Sequence, residues 1–210
     1  MATAVFCETF KMDKFDNPNS ENANLLRFGF ILEFVTLSWN VVAVFVLAIL
    51  AFQSSSIALA GFGFDSLIEI GASIVVIWEL RGVGEARQKR ALKLIGYAFG
   101  LLAVYLIVVS TLALVQVHRS NASVEGMVWT MVTAILMFAL ARGKSSIGKR
   151  LGNPVILAEG KVTLVDGLLA LAVFVGLVLN ASFGLWWADA VIGFVIAGYS
   201  IKEVLAIFRD

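Results

Sequence analysis

Two acidic residues lie one helical turn apart inside an apolar stretch of the chain. Asp65 and Glu69 fall within a segment from about Ser56 to Leu80, which is long enough to cross a bilayer. Their spacing of four residues places both carboxylates on the same face of a helix. An acid at the centre of a membrane helix costs roughly 2.5–3.5 kcal/mol on insertion scales. The pair therefore requires a bound cation, a proton or a basic residue from another helix.

A third acid lies at the same predicted depth in a later apolar segment. At about 1.5 Å per residue, Asp65 and Glu69 lie roughly 14–20 Å from one membrane surface, and Asp166 lies about 18 Å from the other. The three carboxylates thus share a level close to the midplane. We predict that they form the core of a cation site or of a protonated carboxyl cluster.

Polar residues at helical spacing accompany these acids in two stripes. One stripe contains Glu33, Thr36 and Asn40, and the other contains Glu159, Thr163 and Asp166. Glu33 and Asn40 are the weaker candidates for completing a cation site. Glu159 is equally compatible with a gate and with an acid that is stabilised by the positive end of a helix dipole.

The available donor atoms limit the kind of metal site. Cys7 and His118 are the only residues of their types, so a site must consist mainly of oxygen ligands. Three carboxylates with Asn40 or water would suit zinc, cadmium, cobalt, manganese or ferrous ions. We find no basic residue at midplane depth, and Lys161 is expected to extend to the interface. A structural salt bridge is therefore the less favoured explanation of the acids.

The elements that position these residues are predicted to be membrane helices. The chain is 60% hydrophobic and only 15% charged, which indicates an all-α integral membrane protein. Hydropathy predicts six spans, at about 28–52, 56–80, 92–117, 124–141, 154–180 and 185–208. We find no nucleophile–base constellation or cofactor motif, so we expect neither an enzyme nor a prosthetic group, and no nucleic-acid partner.

The distribution of basic residues predicts the orientation. Basic side chains are concentrated after the second span and after the fourth, the latter group being Arg142, Lys144, Lys149 and Arg150. By the positive-inside rule these segments are cytoplasmic, and so are both termini. We divide the chain into a flexible polar cytoplasmic tail, residues 1–24, and a six-helix transmembrane domain, residues 25–210.

Three segments resemble the cation diffusion facilitator (cation efflux) family. The stretch from Ser56 to Glu69 is similar to the family's second helix, which carries a His or Asp and then an Asp four residues later. Residues 158–189 resemble its fifth and sixth helices, with Asp166 on the final Asp of the fifth-helix motif. Residues 33–42 look like a short bacterial branch without the C-terminal cytoplasmic domain.

The resemblance implies a transporter that exchanges cytoplasmic divalent metal for protons by alternating access. It also implies a homodimer in the bacterial inner membrane, with the lipid bilayer, divalent metal ions and protons as its partners. One departure stands out, because the first ligand position of the fifth-helix motif is Val162, which cannot bind metal. Glu33, Asn40, Thr163 or water must replace that ligand in a tetrahedral site.

Two functions follow from these patterns. The first is export of divalent metal through a midplane site formed by Asp65, Glu69 and Asp166. The alternative is a non-transporting membrane metal sensor or scaffold that keeps the fold with one ligand missing. Metal binding without proton-linked flux would favour the sensor.

Overall fold

The structure is an all-helical bundle, as predicted. The computed structural model describes residues 18–82, 84–116, 123–185 and 187–209. Within these ranges the chain forms six helices: α1 (Pro18–Ser54), α2 (Ile57–Leu80), α3 (Glu85–Gln116), α4 (Val124–Leu151), α5 (Pro154–Phe183) and α6 (Ala188–Arg209). Among the described residues, the five helices α1 to α5 are long and apolar enough to cross a membrane. A membrane crossing by α6 stays a prediction.

Local side-chain chemistry defines several helix ends. Ser56 and Ser123 each accept a hydrogen bond from a backbone N–H in the first turn of α2 and α4, respectively. Asn153 does the same at the start of α5, where Pro154 occupies a position that needs no N–H donor. Gly152 follows the end of α4 with a φ of 61°, a left-handed conformation that glycine adopts without strain.

Several helices extend beyond their predicted spans, including α3, which begins at Glu85 rather than at Leu92. The hydropathy pattern starts the first span at Phe28, but α1 begins at Pro18 and includes residues 18–24 of the predicted tail. The pattern ends the fourth span at Ala141, but α4 continues to Leu151. The rest of the tail, with Cys7, lies outside the described residues, and so does His118. The longer α4 carries Lys144 on the helix rather than in a loop.

Four of the helices form a closed ring. α1 packs against α2 and α4, and α5 also packs against α2 and α4. α3 and α6 form a second pair that packs against α2 and α5. The apolar core is built from buried residues of several helices, including Leu47, Phe62, Phe99 and Val165. The ring leaves an interior between α1, α2, α4 and α5 into which the predicted polar stripes project.

Candidate functional site

The interior of the ring is polar and closed to solvent. It buries five acids and one lysine, each no more than 2% exposed: Glu33, Asp65, Glu69, Glu159, Asp166 and Lys144. Five carboxyl groups share this interior with one ammonium group, so the acids cannot all be ionised without further cations. Protons or metal ions are the two available means of compensation.

Lys144 organises one part of this interior, which we call the lysine cluster: Lys144, Glu33, Glu159 and Thr163. The Lys144 Nζ atom donates to Glu33 Oε2 at 3.2 Å, to Glu159 Oε1 at 2.5 Å and to Thr163 Oγ1 at 3.0 Å. An ammonium group has three protons, and these three bonds use all of them. The cluster therefore joins α1, α4 and α5 through one fully satisfied cation.

Lys144 bears on two sequence-based expectations. The sequence indicates no basic residue at midplane depth, yet Lys144 is fully buried and forms ion pairs with two of the acids, Glu33 and Glu159. Its assignment to a loop is wrong, since it lies within α4. Helical periodicity could have identified it, because the buried face of α4 runs through Met137, Leu140 and Ala141 directly to Lys144.

Glu159 and Lys161 lie two residues apart on α5, on opposite sides of the helix and in different environments. Glu159 is buried in the lysine cluster and also accepts a hydrogen bond from Ser73 Oγ at 3.3 Å, so it is not simply an acid at a helix start. Lys161 is 46% exposed and donates to Glu203 of α6 at 2.5 Å. Lys161 is thus separate from the acids of the ring interior.

Glu69 is connected to the lysine cluster through a threonine. Thr163 Oγ1 donates a hydrogen bond to Glu69 Oε1 at 2.5 Å. Thr163 Oγ1 also accepts a hydrogen bond from Lys144 Nζ. The second oxygen of Glu69, Oε2, is buried and has no hydrogen-bond partner among the described residues. Glu69 therefore has one carboxylate oxygen engaged and one available.

Asp65 and Asp166 form a different arrangement, which we call the aspartate pair. The two side chains come from α2 and α5 and lie close enough to interact electrostatically. Asp65 Oδ2 and both carboxylate oxygens of Asp166 accept no hydrogen bond from any donor that the structure describes. The pair can share a proton or bind a cation, because two adjacent carboxylates cannot both stay ionised without a compensating positive charge.

Asn40 and Glu33 lie on α1 but have different surroundings. Asn40 Nδ2 donates to the backbone oxygen of Thr36 at 3.1 Å. The other side-chain atom, Asn40 Oδ1, is buried and has no hydrogen-bond partner in the described chain. Glu33 instead pairs with Lys144. In the described ranges, no three His, Cys, Asp or Glu side chains lie close enough together to hold a metal ion. Of the predicted ligands, Asp65 and Asp166 thus form the aspartate pair, Glu33 belongs to the lysine cluster, and Glu69 and Asn40 lie outside both groups.

Val162 lies in an apolar environment. It is 2% exposed and belongs to the hydrophobic core together with Val155, Ile156 and Val165. The position that carries a ligand in the resembled motif therefore contributes packing in this chain.

Comparison with known proteins assigns the family. The model of the cation efflux transmembrane domain matches residues 91–210, more than half of the chain. The chain belongs to the cation efflux family. The family match includes Lys144, Glu159, Thr163 and Asp166, whereas Asp65 and Glu69 precede it. Members of the cation efflux family are transporters rather than enzymes, and the chain is accordingly a multi-pass membrane protein of a cation transporter family.

The chain is also similar to transmembrane protein 163 of Xenopus laevis. The two are 26% identical over 175 residues, which cover 78% of this chain and 60% of that protein. The chain thus spans about 60% of the length of this relative. The name of this relative states no substrate.

Proposed function

We propose that the chain exports divalent metal cations from the cytoplasm, in exchange for protons, through the acids inside the ring. The aspartate pair is the main support for this proposal. Two buried carboxylates from different helices leave three oxygens without hydrogen-bond donors, in a chain of the cation efflux family. Such oxygens are costly to bury empty and suit a proton or a hard cation.

The proposed site consists of Asp65, Asp166 and Glu69, with Asn40 as the further ligand. Asn40 Oδ1 is buried and has no described donor, and Glu69 Oε2 has the same status. Glu33 is a weaker ligand candidate, since Lys144 already occupies one of its oxygens. Oxygen ligands of this kind are compatible with zinc, cadmium, cobalt, manganese or ferrous ions as substrates.

The proposed mechanism alternates metal and protons on the same oxygens. Metal binds the ionised aspartate pair from the cytoplasmic side, and rearrangement of the ring exposes the site to the other side. Protons then displace the metal. Protonated carboxyls cost less to hold within the membrane than ionised ones, so protonation permits return of the empty site.

We further propose the topology and setting of this transporter. The basic residues after α2 and along the end of α4 favour cytoplasmic termini by the positive-inside rule. In this arrangement α6 is the sixth span, residues 25–210 are the transport domain, and residues 1–24 precede it on the cytoplasmic side. The family resemblance supports a homodimer in a bacterial cytoplasmic membrane.

Transport by reconstituted protein tests the proposal. Proteoliposomes with an internal metal-sensitive dye and an internal pH dye should report Cd²⁺ or Zn²⁺ uptake coupled to proton movement. Asp65→Asn and Asp166→Asn should abolish both signals. Glu79→Gln is the matched control, because Glu79 lies on α2 but bonds to Asn153 near the end of the helix, away from the site. Wild-type rates in both aspartate variants would refute the proposal.

A metal sensor or scaffold is the second candidate. Two observations favour it: Val162 is packed in the apolar core, and the described acids do not form a ready three-residue metal site. Calorimetric titration separates the candidates when combined with transport. Binding of Cd²⁺ without flux would support a sensor, and the absence of both would support a scaffold.

A further inference from the structure

Glu69 has a hydrogen-bond partner that keeps it apart from the aspartate pair. It lies one turn from Asp65 on the same helix, yet it is held by Thr163 rather than grouped with Asp65 and Asp166 in a three-acid arrangement. Thr163 is itself fixed by Lys144. The three residues form a continuous series of hydrogen bonds, Lys144 to Thr163 to Glu69, which we call the Lys144–Thr163 relay to Glu69.

The proton of Thr163 has two acceptors within reach. Its hydroxyl lies 2.5 Å from Glu69 Oε1 and 3.3 Å from Glu159 Oε1. A hydroxyl has a single proton, so it can serve only one carboxylate at a time, and the shorter distance assigns it to Glu69. If Glu69 leaves, rotation of the hydroxyl to Glu159 prevents a buried donor from losing its partner.

We propose that Lys144 and Thr163 are positioning residues that hold Glu69 outside the cargo site until a divalent metal ion binds Asp65 and Asp166. This inference rests on the proposed function, because it assumes that the aspartate pair receives the metal. Metal binding draws Glu69 from Thr163, and the Thr163 proton turns to Glu159. No covalent bond changes; only a hydrogen bond moves from one carboxylate to the other.

The relay links the occupancy of the site to the packing of the ring. Without metal, Lys144 and Thr163 connect α1, α4 and α5 to Glu69 on α2, so all four helices of the ring share one hydrogen-bonded network. With metal, Glu69 leaves this network and joins the aspartate pair, while Ser73 still connects α2 to Glu159. The metal thereby replaces one connection between helices with another, as an alternating-access transporter requires.

Replacement of Thr163 tests the relay directly. Thr163→Val keeps the side-chain shape but removes the hydroxyl, so metal no longer competes with a hydrogen bond for Glu69. We expect Cd²⁺, measured by calorimetric titration of the detergent-solubilised full chain, to bind about 10- to 100-fold more tightly, in line with the loss of one hydrogen bond to a charged acceptor. Cd²⁺ transport by the same variant should slow, because release now lacks the competing donor.

Two controls accompany this variant. Thr163→Ser keeps a hydroxyl and should restore the wild-type affinity and rate. Thr130→Val changes an equally buried threonine of α4 whose hydroxyl bonds to the backbone of its own helix, at Gly126 and Met127, and should not alter metal affinity. Unchanged or weaker Cd²⁺ binding by folded Thr163→Val would overturn the relay.

A second variant keeps the proposal testable if Thr163→Val does not fold. Lys144→Met combined with Glu159→Gln removes one positive and one negative charge together, and it removes the donor that fixes Thr163. Tighter Cd²⁺ binding with slower transport would again support the relay, and wild-type affinity would contradict it.

The aspartate variants distinguish failure of the relay from failure of the proposed function. If Asp65→Asn abolishes Cd²⁺ binding while both relay variants bind like the wild type, the cargo site stands and the relay is wrong. If Asp65→Asn binds Cd²⁺ as well as the wild type does, the proposed cargo site is wrong and the relay is wrong with it.

Discussion

The two polar regions inside the ring differ in how their carboxylates are compensated. In the lysine cluster, one oxygen each of Glu33 and Glu159 accepts a hydrogen bond from Lys144, and all three N–H groups of that ammonium are used. The second oxygens of both acids have no donor among the described residues. In the aspartate pair, Asp65 Oδ2 and both Asp166 oxygens have no donor among the residues described. The same four helices thus hold one region with its own cation and one region that requires a cation from outside.

This difference separates structural from transport roles. A charge that is already paired stabilises the contact between helices, and breaking the pair leaves a buried ion. An acid without a partner contributes little to stability, and its retention in a membrane helix points to function. Each of the following substitutions tests this division.

The largest expected effect is loss of transport in the aspartate pair. Asp65→Asn or Asp166→Asn should reduce Cd²⁺ uptake by at least the roughly 100-fold that loss of even an outer-shell metal partner can cost. Stability should change by no more than about 1 kcal/mol, because the substitution removes repulsion rather than a satisfied bond. Uptake assays measure the loss of transport, and thermal unfolding in detergent measures the change of stability. A large loss of stability without a loss of transport would show that the aspartate pair has a structural role rather than a transport role.

Next in size is loss of stability in the lysine cluster. Lys144→Met should destabilise the protein by about 3–5 kcal/mol, since Glu33 and Glu159 are left as unpaired buried charges. Thermal unfolding of the purified variant, with the yield of monodisperse protein, measures the effect. A variant as stable as the wild type would show that the ion pairs do not hold the ring together.

Charge balance should recover part of that loss. Lys144→Met with Glu159→Gln removes one unpaired acid, so the destabilisation should fall to about 1–3 kcal/mol, the cost of an unsatisfied buried polar group. A double-mutant cycle built from the two single variants and the double variant gives the coupling energy. Simple additivity of the two single effects would argue against a functional ion pair between Lys144 and Glu159.

A smaller effect is expected on α1. Asn40→Ala should weaken Cd²⁺ binding by about tenfold or less, which corresponds to roughly 1.4 kcal/mol, because one neutral oxygen ligand is lost while the carboxylates stay. Titration calorimetry measures the change, with Thr130→Val as the control for an altered buried polar side chain. No change in affinity would remove Asn40 from the site and leave water as the further ligand.

The smallest effect is expected at the partly exposed ion pair. Lys161 is 46% exposed and pairs with Glu203, so Lys161→Met should cost only about 0–1 kcal/mol in thermal unfolding. The contrast with Lys144→Met compares two lysine–glutamate pairs of one protein at different depths. Equal costs at both positions would show that burial does not explain the behaviour of the lysine cluster.

The predictable parts of this molecule follow from hydropathy and depth. Long apolar segments predict the helices, because a chain in lipid must satisfy its backbone hydrogen bonds internally. Counting residues from the segment ends places Asp65 and Asp166 at one level, and the structure brings these two side chains together. Such counting is possible because the rise of a helix is regular.

The buried position of Lys144 could not be predicted from hydropathy or from residue counting. Hydropathy falls at Arg142 and Lys144, and the positive-inside rule assigns such a group to a loop. The helix nevertheless continues through Gly148, because the stop signal of Gly152, Asn153 and Pro154 comes only after it. Hydrogen bonds to buried partners then offset the cost of burying the charged side chain of Lys144. The partners of Glu33 and Glu69, which are Lys144 and Thr163, could not be predicted either, because these contacts join segments that are distant in the sequence.

The short turn between α4 and α5 has a consequence for how the protein enters the membrane. Gly152 and Asn153 connect the two helices directly, and Lys144 and Glu159 bond across this turn with a sequence separation of only 15 residues. The pair therefore belongs to a single helical hairpin and needs no other segment to form. A hairpin that inserts as a unit carries its lysine into the bilayer already paired, which reduces the cost of charge transfer during biosynthesis.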